Sequence, residues 1–241
     1  MSLFDAPKPM LNPVIWQPNE IMRPEVKKAI QDHLEKIYPM SKVSSMTMIG
    51  SSVSHQYSDT SDIDVNVGGI KGESYDAWHK IFKQLNDRVT YLPGTRHPMN
   101  FMFQEYQDSY DWSISLGAYN MLKDVWEKRP IPYDKIGDPY KKYEREVHFA
   151  KLLLTQIESE VALMNEIRQH DPEQYEDTRK RLAILFKSIE DNRKTAYRYG
   201  TGTPALQEYN IVYKIVEGSP YGPLMHEMVS YYDKLHDMST K

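Results

Sequence analysis

Apolar residues recur along this chain with two different periods, and the change of period divides it. Val26, Ala29, Ile30, His33, Leu34 and Ile37 fall at helical spacing behind Pro24, so a helix is predicted from Pro24 to about Ile37. Residues 43–49 form a short apolar run that reads as a strand and stops at Gly50-Ser51-Ser52. Residues 62–67 alternate: Ile63, Val65 and Val67 share one face of a strand, Asp62 and Asp64 the other. Gly68-Gly69 closes that strand. The helical period returns from Tyr75 to Val89 through Tyr75, Trp78, Ile81, Phe82 and Leu85. Pro93-Gly94 marks a turn, residues 98–104 a third strand, residues 111–115 a fourth, and residues 117–127 a helix. Residues 1–23, rich in proline and without a period, read as an extended arm.

Beyond a linker near residues 129–139, marked by Pro130, Pro132 and Pro139, the pattern is helical throughout. Two long charged helices are predicted over residues 140–169 and 172–199. Asp171, Pro172 and Gln174 form a start signal for the second: an N-cap, a proline at the first position and a glutamine three residues past the cap. So short a connection favours an antiparallel pair. The stretch Gly200 to Pro204 ends the second helix and starts a third, and Gly222-Pro223 precedes a last amphipathic one. The expected fold class is α+β. A small mixed sheet flanked by helices occupies residues 1–130, and an α-helical domain follows over residues 131–241.

The chemistry concentrates at the second strand. Two carboxylates side by side on a rigid strand repel each other unless a cation sits between them. Oxygen ligands of that kind suit Mg²⁺, or Mn²⁺, which takes one or two carboxylates and completes its shell with water and phosphate oxygens. The Gly50-Ser51-Ser52 turn just upstream offers backbone N–H groups and two hydroxyls, which suit a phosphate. The same turn would equally serve as an ordinary strand-to-helix connection, with glycine relieving the backbone and serine capping.

Composition narrows the setting. A chain of 241 residues has enough length for a sizeable core in one large domain or two small ones. It has no cysteine, so disulfides and thiolate metal sites are excluded, which fits a reducing cytoplasm. No apolar run is long enough to span a membrane and no signal peptide is evident, so no membrane partner is expected. The net charge of −4 argues against a protein that coats nucleic acid, though a local basic groove is compatible with it.

Gly50-Ser51-Ser52, a spacer from Val53 to Ser61, and then Asp62-Ile63-Asp64-Val65 resemble the signature of the DNA polymerase β-like nucleotidyltransferase superfamily. The segments Gly94 to Phe101 and Ala118 to Leu122 are similar to uncharacterised phage-encoded members. The resemblance implies a nucleotidyltransferase core with a nucleoside triphosphate as substrate, two Mg²⁺ ions, and transfer of an NMP to a hydroxyl. The acceptor is left open among a small molecule, an RNA end and a protein side chain. It further implies that Asp62 and Asp64 bind metal, that Ser51 contacts the β- or γ-phosphate, and that Gly50 lets the backbone approach it. A phage-encoded member would work in the host cytoplasm. The alternative is a nucleotide-binding interaction module of the same fold with weak or no catalysis. Asn100 keeps that alternative open, because it stands where the superfamily places a third acid. An amide oxygen can ligate Mg²⁺ but is a poor proton acceptor. Glu105 and Asp111 are nearby acids that could substitute.

Other candidates are weighed against ordinary structural roles. Arg96 could clamp a phosphate or be a solvated loop residue, and His97 could act on a phosphate or pack against Pro98. His55 lies in the spacer. Arg193, Lys194, Tyr197 and Arg198 could hold a triphosphate and stack on a base, or simply complement a helix C-terminus.

Overall fold

The computed structural model describes residues 7–69, 75–104, 110–113, 115–199 and 208–239. The chain divides into two units, Asp5–Gly137 and Asp138–Lys241. The first unit is built on a six-stranded mixed sheet. Its strands are β1 (Ser45–Ile49), β2 (Ile63–Gly68), β3 (Thr90–Tyr91), β4 (Pro98–Gln104), β5 (Ala118–Asn120) and β6 (Val125–Lys128), and they lie in the order β3-β4-β2-β1-β5-β6. Only β2 and β4 run parallel. That pairing requires a crossover, which helix α2 (Tyr75–Asn86) supplies. Helix α1 (Pro24–Glu35) precedes the sheet.

Alternation decides which face of the sheet is core. Ile63, Val65 and Val67 of β2, Met46 and Met48 of β1, and Met99 and Phe101 of β4 are all buried in one cluster. Val26, Ile30 and Leu34 of α1, spaced four apart, join it from the helix side. Of the stripe expected on α2, Phe82 and Leu85 are buried in the same cluster, and Phe82 packs on Phe103 at 5.6 Å. The side chains of Tyr75, Trp78 and Ile81 lie outside the described residues. At about 1.5–3 kcal/mol for each large apolar side chain, this one-sided burial fixes the strand register and leaves the opposite face free to be polar.

Three expectations for this unit are corrected. Residues 110–113 contain no strand. Residues 117–127 form a hairpin rather than a helix, with β5 and β6 joined by a turn over Met121 to Asp124. The arm is not an extended appendage over its described part. It turns back through a bridge between Trp16 and Met22 and buries Leu11, Ile15, Trp16 and Met22 in the core. Proline spacing hid this because the burying residues follow a tight turn, with Glu20 at φ 60, and no regular period.

The second unit is helical: α3 (Pro139–Lys142), α4 (Glu144–Ile167), α5 (Pro172–Tyr199), α6 (Glu208–Glu217) and α7 (Gly222–Ser239). The expected helix over residues 140–169 is interrupted at Tyr143, which leaves the helical region at φ −120, ψ 36. Asp171 caps α5 as its sequence implies, accepting from the Gln174 N–H at 3.0 Å. The pair is antiparallel, since Arg181, in the third turn of α5, bonds Glu160 in the third-last turn of α4 at 3.0 Å. The break expected at Gly200 to Pro204 lies outside the described residues.

A polar knot closes this unit. Glu217 accepts from Lys214 Nζ at 2.6 Å and from the Tyr213 hydroxyl at 3.0 Å, while Arg193 stacks over the Tyr213 ring at 4.1 Å. Burial alone would raise the Glu217 carboxyl, but these donors and the Lys214 charge outweigh it and hold it below its ordinary value of 4.5. A lowered folded-state value stabilises the unit above the unfolded value and loses that contribution as pH falls through the folded one. The helical unit is therefore expected to weaken below about pH 4.5, and Glu217→Gln should flatten that acid limb. It should also cost about 1–2 kcal/mol at neutral pH, read by urea denaturation across pH.

Candidate functional site

Register brings the predicted residues of the first unit together. Asp64 pairs with Ile49 of β1 on one side and with Asn100 of β4 on the other. Asp62 immediately precedes β2, two residues from Asp64 and on its face, and it is exposed while Asp64 is half-buried. Asn100 Nδ2 lies 3.3 Å from Asp62 Oδ2 and 3.4 Å from Asp64 Oδ1. One amide group thus donates to both carboxylates, at the spot where a charge between them would be most stabilised.

Gly50 completes the cradle. Its φ of 84 and ψ of −157 lie in a region open essentially to glycine alone. A Cβ there would fall 2.6 Å from Asp64 Oδ2. Gly50→Ala is therefore expected to cost about 1–3 kcal/mol in stability and to displace the Asp64 carboxylate. Denaturation curves and nucleotide calorimetry on the same variant check the two effects.

The turn after Gly50 differs from the expected helix start, being a 3₁₀ turn over Ser51–Val53. Ser51 is nearly buried, and its carbonyl accepts from the Ser54 N–H and hydroxyl at 3.0 and 2.9 Å. Ser52 is fully buried and its hydroxyl donates to the Asp62 carbonyl at 2.5 Å. Ser52 thereby ties the turn to the backbone of the first aspartate.

His97 performs the matching task from the other side. It is buried, its Nδ1 donates to the Ser61 carbonyl at 2.8 Å, and its Nε2 accepts from Asn12 Nδ2 at 3.1 Å. Asn12 Oδ1 is taken by the Val14 N–H, which fixes the amide orientation and with it the imidazole tautomer. His97 is a positioning residue for the segment leading into Asp62. No local signal could have shown this, because Asn12 and Ser61 are both distant in sequence. His55 is also committed to structure, with Nδ1 2.9 Å from the Lys8 carbonyl.

Arg96 is exposed in the turn between β3 and β4, which Thr95 pins by hydrogen bonds to Leu92 and His97. The parallel register puts that turn at the end of the sheet where Asp62 precedes β2. Asp111 is exposed, and the Ser113 N–H holds its carboxyl below the usual range. Glu105 lies outside the described residues. Lys194 and Tyr197 belong to the second unit. Lys194 Nζ bonds Glu190 at 2.7 Å, one turn back on α5, and the Tyr197 side chain lies outside the described residues.

The donors at the cradle are all oxygens, two carboxylates and a carboxamide, which fits a hard divalent cation. A half-turn of the Asn100 amide would exchange Nδ2 for Oδ1 and so could offer an oxygen to a cation. Among the described residues no group of three His, Cys, Asp or Glu side chains stands ready to hold a metal. A cation here would take its remaining ligands from water or substrate, the habit of Mg²⁺.

No protein-family model matches the chain, and no curated protein matches it. Among solved structures it is similar to spectinomycin adenyltransferase AAD(9) from Enterococcus faecialis, determined with ATP and spectinomycin. The identity is 13%, the match covers 86% of this chain and 87% of that one, and the TM-score is 0.24. A likeness at that level transfers no residue roles. Among the described residues no helix is long and apolar enough to cross a membrane.

Proposed function

We propose that this chain is a nucleotidyltransferase that moves an NMP from an NTP to a hydroxyl acceptor. The observation that carries this is the cradle itself: Asp62 and Asp64 on one face of β2, beside a glycine whose missing Cβ leaves the space next to Asp64. The mixed sheet with flanking helices is consistent with a nucleotidyltransferase-like core. Asp62 and Asp64 would hold the divalent cation, with Asn100 Oδ1 available as a third ligand. That cation would neutralise the triphosphate and polarise the α-phosphate towards attack. Ser52 and His97 hold the two ends of the Ser61-Asp62 segment and so fix where the first carboxylate stands. Exposed Arg96, at the same end of the sheet, would meet phosphate oxygens arriving from solvent.

A second reading has its own support. Asn100 donates to both carboxylates and so relieves their repulsion without a cation. This favours a nucleotide-binding module that has weak or no turnover. Incubation with each α-labelled NTP, Mg²⁺ or Mn²⁺, and a lysate fractionated into RNA, protein and metabolites separates the two. Label transfer supports the enzyme and identifies the acceptor class. Calorimetric NTP binding without transfer supports the module, and absence of binding with either metal overturns both.

A further inference from the structure

A carboxylate on the last hairpin reaches across to the sheet face that carries Asp64. Thr47 of β1 lies opposite Asn66 of β2 on one side and Asn120 of β5 on the other. These side chains therefore share the face that carries Asp64 and Asn100. Asn120 pairs with Val125, Tyr119 with Trp126 and Ala118 with Lys128, so Glu127 is the extra residue of a bulge, and its hydrogen bonds to Asn120 and Thr47 bring its carboxylate to this face. A register shift between Ala118 and Tyr119 increases the local twist there.

Glu127 reaches back across β5. Its Oε1 accepts from Asn120 Nδ2 at 2.7 Å, and Thr47 Oγ1 donates to Oε2 at 3.5 Å. The Asn120 amide cannot turn away, because its Oδ1 already accepts from the N–H groups of Leu122 and Lys123 at 3.1 and 3.0 Å. Thr47 and Asn120 are 2% and 4% exposed, whereas Glu127 is open to solvent. Two buried neutral donors thus hold one exposed carboxylate in place. Among the described residues no cation pairs with it, so its other lone pairs are available.

The carboxylate of Glu127 sits beside Thr47, one strand from Asp64 and one pleat further along. Strand spacing and rise separate the two carboxylates by roughly 10 Å. An α-phosphate anchored over Asp64, an attacking oxygen about 3–3.5 Å from phosphorus, and a base within about 2.6–3.2 Å of that oxygen span a comparable distance.

We propose that Glu127 is the general base of this site, which rests on the nucleotidyltransferase reading above. The acceptor O–H gives its proton to a Glu127 oxygen while its oxygen bonds to the α-phosphorus. The bond from the α-phosphorus to the bridging oxygen breaks, and pyrophosphate leaves with that electron pair. Asn120 and Thr47 are positioning residues for Glu127.

The test compares the full-length wild type with Glu127→Gln and Glu127→Asp. Gln keeps an oxygen for Asn120 but accepts no proton. With Mn²⁺ and α-labelled ATP, water serves as the acceptor, and release of AMP and pyrophosphate is followed alongside transfer into lysate fractions. Glu127→Gln is expected to lower AMP release and transfer about 100-fold or more while leaving calorimetric ATP affinity within about twofold. Glu127→Asp should restore part of the rate. Equal rates in wild type and Glu127→Gln overturn this proposal and leave the transferase standing. So does a parallel loss of ATP affinity, which would make Glu127 a binding residue. Wild type that binds ATP but produces no AMP or labelled product overturns the base, and wild type that binds no ATP removes the transferase reading as well.

Discussion

Asp62→Ala combined with Asp64→Ala is expected to remove metal-dependent NMP transfer by at least about a thousandfold, without weakening the fold. The two carboxylates are the charged oxygen donors in the cradle, so their loss removes the cation, and with it most of the charge compensation for the triphosphate. Neither side chain contributes to the core, which lies on the opposite face through Ile63, Val65 and Val67. In the free protein the Asn100 amide lies between the two carboxylates, and deleting both charges relieves their mutual repulsion. Melting temperature measured in EDTA should therefore stay level or rise, as is common where a site carries strain for function. The single variants should differ. Asp64 is half-buried beside Gly50, so Asp64→Asn should cost more nucleotide affinity than the same change at exposed Asp62. Calorimetry with ATP and Mn²⁺ reads the affinities. A double variant that transfers label normally would sink the cradle as the site.

How much of this was legible in the sequence depended on whether a residue's partners were local. Alternation over Ile63 to Val67 placed Asp62 and Asp64 on one face, and the strand at residues 98–104 and the start of α5 at Asp171 stand where the sequence put them. The hairpin of β5 and β6 was not legible, for a physical reason. Ala118, Tyr119 and Asn120 are all buried, so three residues cannot display a two-residue period. The turn that follows contains neither glycine nor proline. It is closed by the Asn120 side chain and by Asp124 at φ 54. Reading residues 117–127 as a helix concealed Glu127, because Val125-Trp126-Glu127-Lys128 runs two apolar residues and then two charged ones, with no two-residue period. The roles of Asn12, Ser52 and His97 were hidden in another way, because each acts through a partner brought near only by the folded chain.

Trp16→Ala is expected to be the most destabilising single change in the first unit, at about 3–5 kcal/mol. The sequence placed Trp16 on an arm, yet its side chain is 2% exposed. Its ring stacks on Trp126 at 4.8 Å and meets the edge of Tyr119 at 4.9 Å. It joins the N-terminal segment to the hairpin that carries Glu127. Its indole N–H also donates to the Ser52 carbonyl at 2.8 Å, and the Ser52 hydroxyl bonds the Asp62 carbonyl. The same residue therefore supports both sides of the candidate site. Removing it leaves a large cavity and an unsatisfied buried carbonyl, a loss comparable with the whole stability of a marginal domain, about 5–15 kcal/mol. Trp16→Phe separates the two contributions. Most of the packing survives, the hydrogen bond does not, and about 1–3 kcal/mol should be lost. Urea denaturation followed by tryptophan fluorescence measures both, and truncation of residues 1–23 should be at least as damaging as Trp16→Ala. If Trp16→Ala unfolds at the wild-type urea concentration, the N-terminal segment is an appendage after all. The Ser52 turn would then have to be held by β1 and β2 alone.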